Sequence, residues 1–189
     1  MILNELIKLT DEVILDFITD WQKSPYCWLQ EIDIQVELTT RFRLKLSETD
    51  RYITARHGHE PHKQNKFQRV TCEPYVKLTT RTWMHPDIVV WNDSFDENIR
   101  FINNGTYPID IICEIKYSFE DPVAGQDEDY MRLITSLSSE SKPNLALQLV
   151  FIQKPSDSVE SVNRKAEKNN HLIIYEVYLP FSQDLTSIS

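Results

Sequence analysis

Residues 145–152, LALQLVFI, are apolar at every position except Gln148. A strand with one wet face alternates apolar and polar residues, so a nearly continuous run asks for cover on both faces. This demand limits the fold more than any other stretch of the chain. It points to a central strand in a sheet with helices on either side.

The segments around that strand supply such cover. Residues 2–22 place Leu3, Leu6, Ile7, Val13, Ile14, Phe17, Ile18 and Trp21 mostly three or four apart, the spacing of a helix. Thr10, followed by Asp11 and Glu12, reads as a cap that starts a second helical segment after a short first one. Ser24-Pro25 ends the pattern. Residues 28–46 alternate in part (Ile32, Ile34, Val36, Leu38), but their length and their Glu, Gln, Leu, Arg and Lys content favour helix. Glu37 and Arg41 are placed for an i,i+4 pair. Residues 47–66 read as a long polar loop or a small excursion around Gly58. Strands are expected at 67–78 (bent at Pro74), 84–91 and 109–117, the last two joined by a turn-rich connection over 92–108. Residues 125–139 form an amphipathic helix pattern through Tyr130, Leu133, Ile134 and Leu137. A short charged helix is expected within 154–170, a last strand over HLIIYEVYLP (171–180), and a frayed tail at 181–189.

The 189 residues, 41% of them hydrophobic, suit one domain over 1–180: an N-terminal helical extension to about residue 24, then a core over about 28–153. Cys27, Cys72 and Cys113 cannot all pair, and there is no CxxC motif or Cys/His cluster for zinc. Reduced thiols in the cytoplasm are the simpler expectation. No run reaches the length of a membrane span, so no membrane partner is expected.

The net charge of −9 argues against a protein that coats nucleic acid without specificity. Its distribution is uneven. Between Arg41 and Arg81 there are ten Lys/Arg against four acids, leaving ten bases against twenty-five acids elsewhere. That segment is either a solvated loop or a phosphate-facing side on an acidic body.

Two charged motifs interrupt the apolar strands. Asp87 opens HPDIVVW, and Glu114 and Lys116 close IDIICEIKY. Residues i and i+2 share a strand face, so Glu114 and Lys116 lie together with Ile115 opposite, and Asp87 is within reach from a neighbouring strand. Two carboxylates that close repel unless a cation lies between them, and hard oxygen ligands, including the Ile115 carbonyl, select Mg²⁺ or Mn²⁺. Lys116 would then orient or help deprotonate a water, or stabilise charge on a phosphoryl oxygen. A structural salt bridge at the sheet rim is the plainer alternative. Glu140-Ser141-Lys142 matches the same short pattern in a polar stretch, so only the apolar context sets the first match apart.

Pro86-Asp87 with Glu114-Ile115-Lys116 resembles the PD-(D/E)xK nuclease superfamily over about residues 28–153. The resemblance implies a restriction-endonuclease-like αβββαβ core, an α/β fold with a central mixed sheet flanked by helices. It implies a Mg²⁺- or Mn²⁺-dependent nuclease that hydrolyses DNA, with Asp87, Glu114 and Ile115 on the metal and Lys116 beside the water. An acidic residue on the first core helix often supports such sites. Glu31 takes that place here, with Glu37 as the fallback. Gln126 and Tyr130 fall where members carry a further polar residue on the following helix. The expected partner is DNA, branched or damaged forms included, held by segment 41–81. The acidic body and the absence of a DNA-reading domain leave room for a homodimer or protein partner, and for a non-catalytic recognition subunit of a larger complex.

Overall fold

The computed structural model describes residues 2–57, 60–78, 81–93, 107–119, 123–139, 142–155 and 161–180. It is an α/β structure with three α-helices and a mixed six-stranded central sheet among the described residues. Helix α1 (Leu3–Lys23) and a short 3-10 turn (Pro25–Cys27) precede α2 (Glu31–Lys45). Strands β1 (Tyr52–His57) and β2 (Glu60–Gln68) follow as an antiparallel hairpin. Next come β3 (Val70–Cys72), the short pair β4 (Val76–Lys77) and β5 (Trp83–Met84), β6 (Ile88–Trp91) and β7 (Ile109–Ser118). Helix α3 (Gln126–Ser136) leads to β8 (Leu145–Pro155), β9 (Val162–Glu167) and β10 (Leu172–Leu179).

The central sheet runs β3-β6-β7-β8-β10-β9. Its middle pairs, β7 with β8 and β8 with β10, are parallel, and the outer pairs are antiparallel. Strand alternation explains the apolar runs. Ile111, Cys113 and Ile115 of β7, Leu145, Leu147, Leu149 and Phe151 of β8, and Ile173, Tyr175 and Val177 of β10 pack under α1 and α2. Ile112, Ala146, Leu172 and Ile174 point to the other face, towards α3 and the two small hairpins. Both faces are therefore dry, and β8 is central, as LALQLVFI demanded.

Several local expectations need correction. Helix α1 is continuous: Thr10 does not cap a second segment but is buried mid-helix, its hydroxyl donating to the Leu6 carbonyl at 2.8 Å. Of the two readings of 47–66, the structure has the excursion and not the loop, because most of it forms the β1–β2 hairpin; Gly58 itself lies outside the described residues. The expected strand 67–78 is split among β2, β3 and β4, broken at Glu73, whose φ of +46° is left-handed. The charged helix expected in 154–170 is instead β9, an edge strand on β10 with Asn163, Arg164 and Lys165 facing solvent. The turn-rich residues 94–106, Glu140-Ser141 and the tail 181–189 lie outside the described residues.

Helix α1 is more than an appendage. Phe17 and Trp21 are fully buried and pack on Phe151 of β8, with ring centroids 5.4 and 5.3 Å apart. No helix among the described residues is long and apolar enough to cross a membrane.

Candidate functional site

Strand β6 begins at Ile88, opposite Cys113, so β7 continues for five residues past the start of its neighbour. The backbone N–H groups of that overhang must find other acceptors. Asp87, just before β6, takes the first: its Oδ2 accepts from Ile115 N at 2.6 Å. Glu31, the first residue of α2, takes the next, its Oε1 accepting from Tyr117 N at 3.3 Å. Two acidic side chains thus finish the edge where regular pairing stops. Asp87 is held in turn by Gln35 of α2, which donates to its backbone carbonyl at 2.6 Å.

Parity along β7 places Asp110, Ile112, Glu114 and Lys116 on the α3 face. Glu114 is buried beside Gln148 of β8, its cross-strand partner. Its carboxyl hydrogen-bonds that of Asp87. Burial first, then the charges of Asp87 and Asp129, push Glu114 up to about 9. Burial also raises Asp87, to about 6, against the opposing pull of the Ile115 N–H. Both carboxyls are thus held above the usual range, and the pair resists ionising together.

Lys116 lies across the same rim. Its Nζ is 2.9 Å from Asp129 Oδ2 and 3.6 Å from Glu31 Oε2. Burial works against its charge, but the hydrogen bond and charge of Asp129, then Glu31 and Asp87, outweigh it and raise its pKa. The ammonium is secure at neutral pH. Asp129 is itself buried in α3 and also meets Arg132 at 3.2 Å.

Glu31, Asp87, Glu114 and Lys116 therefore converge, with Ile115 turned into the opposite core. Glu37 stays apart, pairing with Arg41 at 2.7 Å. Gln126 and Tyr130 do not join the cluster through their side chains. Tyr130 donates to Glu167 at 2.6 Å and Gln126 to Glu176 at 3.4 Å, both along the wall of a neighbouring cleft of about 280 Å³. Gln126 links to the site through its backbone, its carbonyl accepting from Gln148 at 2.8 Å.

Asp129 is the residue that sequence reading missed. Its signal was the helix period: it stands three after Gln126 and four before Leu133, on the buried side of α3. Glu73 is exposed at a left-handed turn, and His85 is exposed against the Tyr75 ring, with centroids 3.9 Å apart.

The donor set is two carboxyls with the main chain of β7 between them. Among the described residues no three of His, Cys, Asp and Glu group as a metal site. The pair nonetheless fits a hard divalent cation, because burial and mutual charge oppose ionising both carboxyls and a cation between them would offset that cost. Cys113, buried behind them, has its thiol pushed well up by burial and by the charges of Asp87 and Glu114, so it is inert.

The basic segment is largely committed to internal contacts. Arg41 pairs with Asp20 and Glu37, Arg43 donates twice to the Val70 carbonyl, and Lys45 pairs with Asp16. Arg69 is buried against Asp110 at 2.9 Å. The three cysteines are unpaired, with Cys27 and Cys72 exposed. No family model, curated protein or solved structure matches this chain.

Proposed function

We propose that the chain is a Mg²⁺- or Mn²⁺-dependent nuclease of the PD-(D/E)xK kind, with a restriction-endonuclease-like core and DNA as its substrate. The observation that carries the reading is the convergence of the Asp87 and Glu114 carboxyls at a sheet rim beside the Lys116 ammonium, where burial raises both acids. The element order α2, β3, β6, β7, α3, β8 supports it as well.

Asp87, Glu114 and the Ile115 carbonyl would hold the ion. When bound, the ion supplies charge neutralisation at the scissile phosphate and an acidified water. Lys116 contributes as a fixed positive donor. Because its neighbours raise its pKa, it stabilises charge developing on the phosphoryl oxygens and does not act as a free-amine base. Glu31 and Asp129, on two different helices, hold the ammonium from either side. Gln35 fixes the turn that presents Asp87.

The test is cleavage of plasmid and branched DNA with Mg²⁺ or Mn²⁺, wild type against Lys116→Ala. Metal-dependent cutting that disappears in the variant is expected. Equal cutting by both proteins would show the activity to come from elsewhere.

The second reading is a non-catalytic recognition subunit of the same fold. It draws on the internal commitment of Arg41, Arg43, Lys45 and Arg69, which leaves segment 41–81 fewer charges for phosphate. Calorimetry separates the two, since the nuclease must bind Mg²⁺ or Mn²⁺ at Asp87 and Glu114 and the subunit need not.

A further inference from the structure

A cavity of about 260 Å³ lies where the end of α3 meets the β9–β10 turn. Ile134 and Leu137, both half-buried, give it an apolar wall, and its polar lining is Ser138, Lys142, Lys168 and His171. None of these described lining residues is acidic, although the chain carries a net charge of −9. Three segments bring the basic groups together. Lys142 stands between α3 and β8. Lys168 opens a turn in which Lys168, Asn169 and Asn170 all take left-handed φ, +50°, +57° and +66°. The His171 N–H closes that turn on the Lys168 carbonyl at 3.1 Å. The His171 ring is fixed as well, its Nδ1 donating to the Asn144 carbonyl at 2.9 Å, which leaves Nε2 for a ligand.

Among the described residues neither lysine enters a salt bridge. Lys168 adjoins Glu167, but that carboxyl is held by Tyr130 at 2.6 Å and by Lys165. Nor do the lysines cap α3. The Leu133 carbonyl accepts from Leu137 N and Ser136 Oγ, that of Thr135 from Ser138 N, and that of Ser136 from Ser139 N and Oγ. Like charges gathered without a counter-charge repel, and an anion among them offsets that cost. We propose that the cavity binds a phosphomonoester carried on a ring or other apolar body. Two ammoniums, an imidazole and a hydroxyl match a group with three terminal oxygens and about two charges better than a singly charged carboxylate. Ile134 and Leu137 take the apolar body. The cavity stands at the opposite end of α3 from Asp129 and Lys116, so it does not rest on the nuclease reading.

Calorimetry of the full chain in metal-free, phosphate-free buffer tests it, with phenyl phosphate as the probe. The wild type is expected to bind it more tightly than benzoate, which lacks the second charge, or inorganic phosphate, which lacks the ring. Lys142→Ala and Lys168→Asn should each weaken binding about tenfold with unchanged circular dichroism and Tm. Asn is chosen at 168 because it tolerates the left-handed turn. Lys154→Ala, at an exposed lysine away from the cavity, should bind as wild type does. Competition by an oligonucleotide bearing a terminal phosphate would support the site and name a nucleic-acid end as the source of the ester; binding of phenyl phosphate without such competition would support it and name a small molecule. No binding by the wild type overturns the proposal, as does equal loss in Lys154→Ala and Lys168→Asn. Loss in Lys116→Ala with Lys168→Asn unaffected would place the ester at the sheet rim and overturn it too. Benzoate binding as tightly as phenyl phosphate would overturn the assignment to phosphate.

Discussion

Strand β7 carries two buried acids four residues apart on the same face, and their surroundings differ sharply. Asp110, near its start, is answered on every side. Arg69 donates to it at 2.9 Å, Asn92 at 2.7 Å and Asn144 at 3.1 Å. Arg69 in turn reaches the Trp91 carbonyl and lies 3.2 Å from Asp93, so it ties β3 to β6 and β7. Glu114, further along, meets another carboxyl, and burial and the charges of Asp87 and Asp129 raise its pKa more than Lys116 lowers it. The first acid has its counter-charge built in. The second faces other acids. Burial alone therefore does not set an acid apart; what does is a charge that the fold leaves unbalanced.

The contrast breaks most visibly at Arg69. Arg69→Ala strands Asp110 in the core and should destabilise the protein by about 3–5 kcal/mol, measured by urea unfolding. A loss under 1 kcal/mol, on the scale of about 0–1 kcal/mol for exposed pairs, would place the Asp110 cluster with ordinary surface pairs. At the other end of the strand, Lys116→Ala should cost less than Arg69→Ala, because Arg132 stays 3.2 Å from the buried Asp129. It should lower metal-dependent DNA cleavage about 10²–10³-fold, read from initial rates on plasmid. A collapse of the fold instead would make Lys116 another Arg69.

Asp129→Asn sharpens the comparison by loosening Lys116 without removing it. The expected loss in kcat is about tenfold, with KM little changed. Partial recovery in Asp129→Glu would show that the charge at this position matters.

The smallest effect is a stability difference that depends on pH. Glu114 has a folded pKa above its unfolded value, so the folded protein holds a proton that the unfolded chain releases. The stability this gives is fully present below about pH 4.5 and is lost as pH rises towards 9. Glu114→Gln has no such proton to lose. In metal-free buffer it should match wild type near pH 4 and exceed it by on the order of 1–3 kcal/mol near pH 8. Mg²⁺ should narrow that gap by stabilising only the wild type. A gap independent of pH would mean that Glu114 is ionised in the fold.

Much of the architecture was legible before any coordinates. LALQLVFI required two covered faces, and period two along β7, β8 and β10 now accounts for both cores. The helical spacing of α1 and α3 was also plain, because each has a stripe to bury, whereas α2 alternates in part and its length and composition decided it. Short elements were not. The pair β4–β5 has two residues per strand, and β9 has only Val162 and Ala166 among polar residues, so neither leaves a hydrophobic period to read. Thr10 looked like a cap because a hydroxyl before acids has that signature, whereas only packing could show that it lies inside a continuous helix.

For the site, the sequence determined which charges must be exceptional. Asp87, Glu114 and Lys116 interrupt or border apolar strands, where an ionised group is costly wherever the chain turns next. It could not determine which partner each would meet. Asp110 and Glu114 look alike in IDIICEIKY, and only the approach of Arg69 from a distant strand made one of them structural. The choice of Glu31 over Glu37, and the arrival of Asp129, also depended on where α2 and α3 start relative to the rim. Burial propensity is local and can be read along the chain. Charge balance is set by groups far apart in sequence, so it is decided only when the fold brings them together.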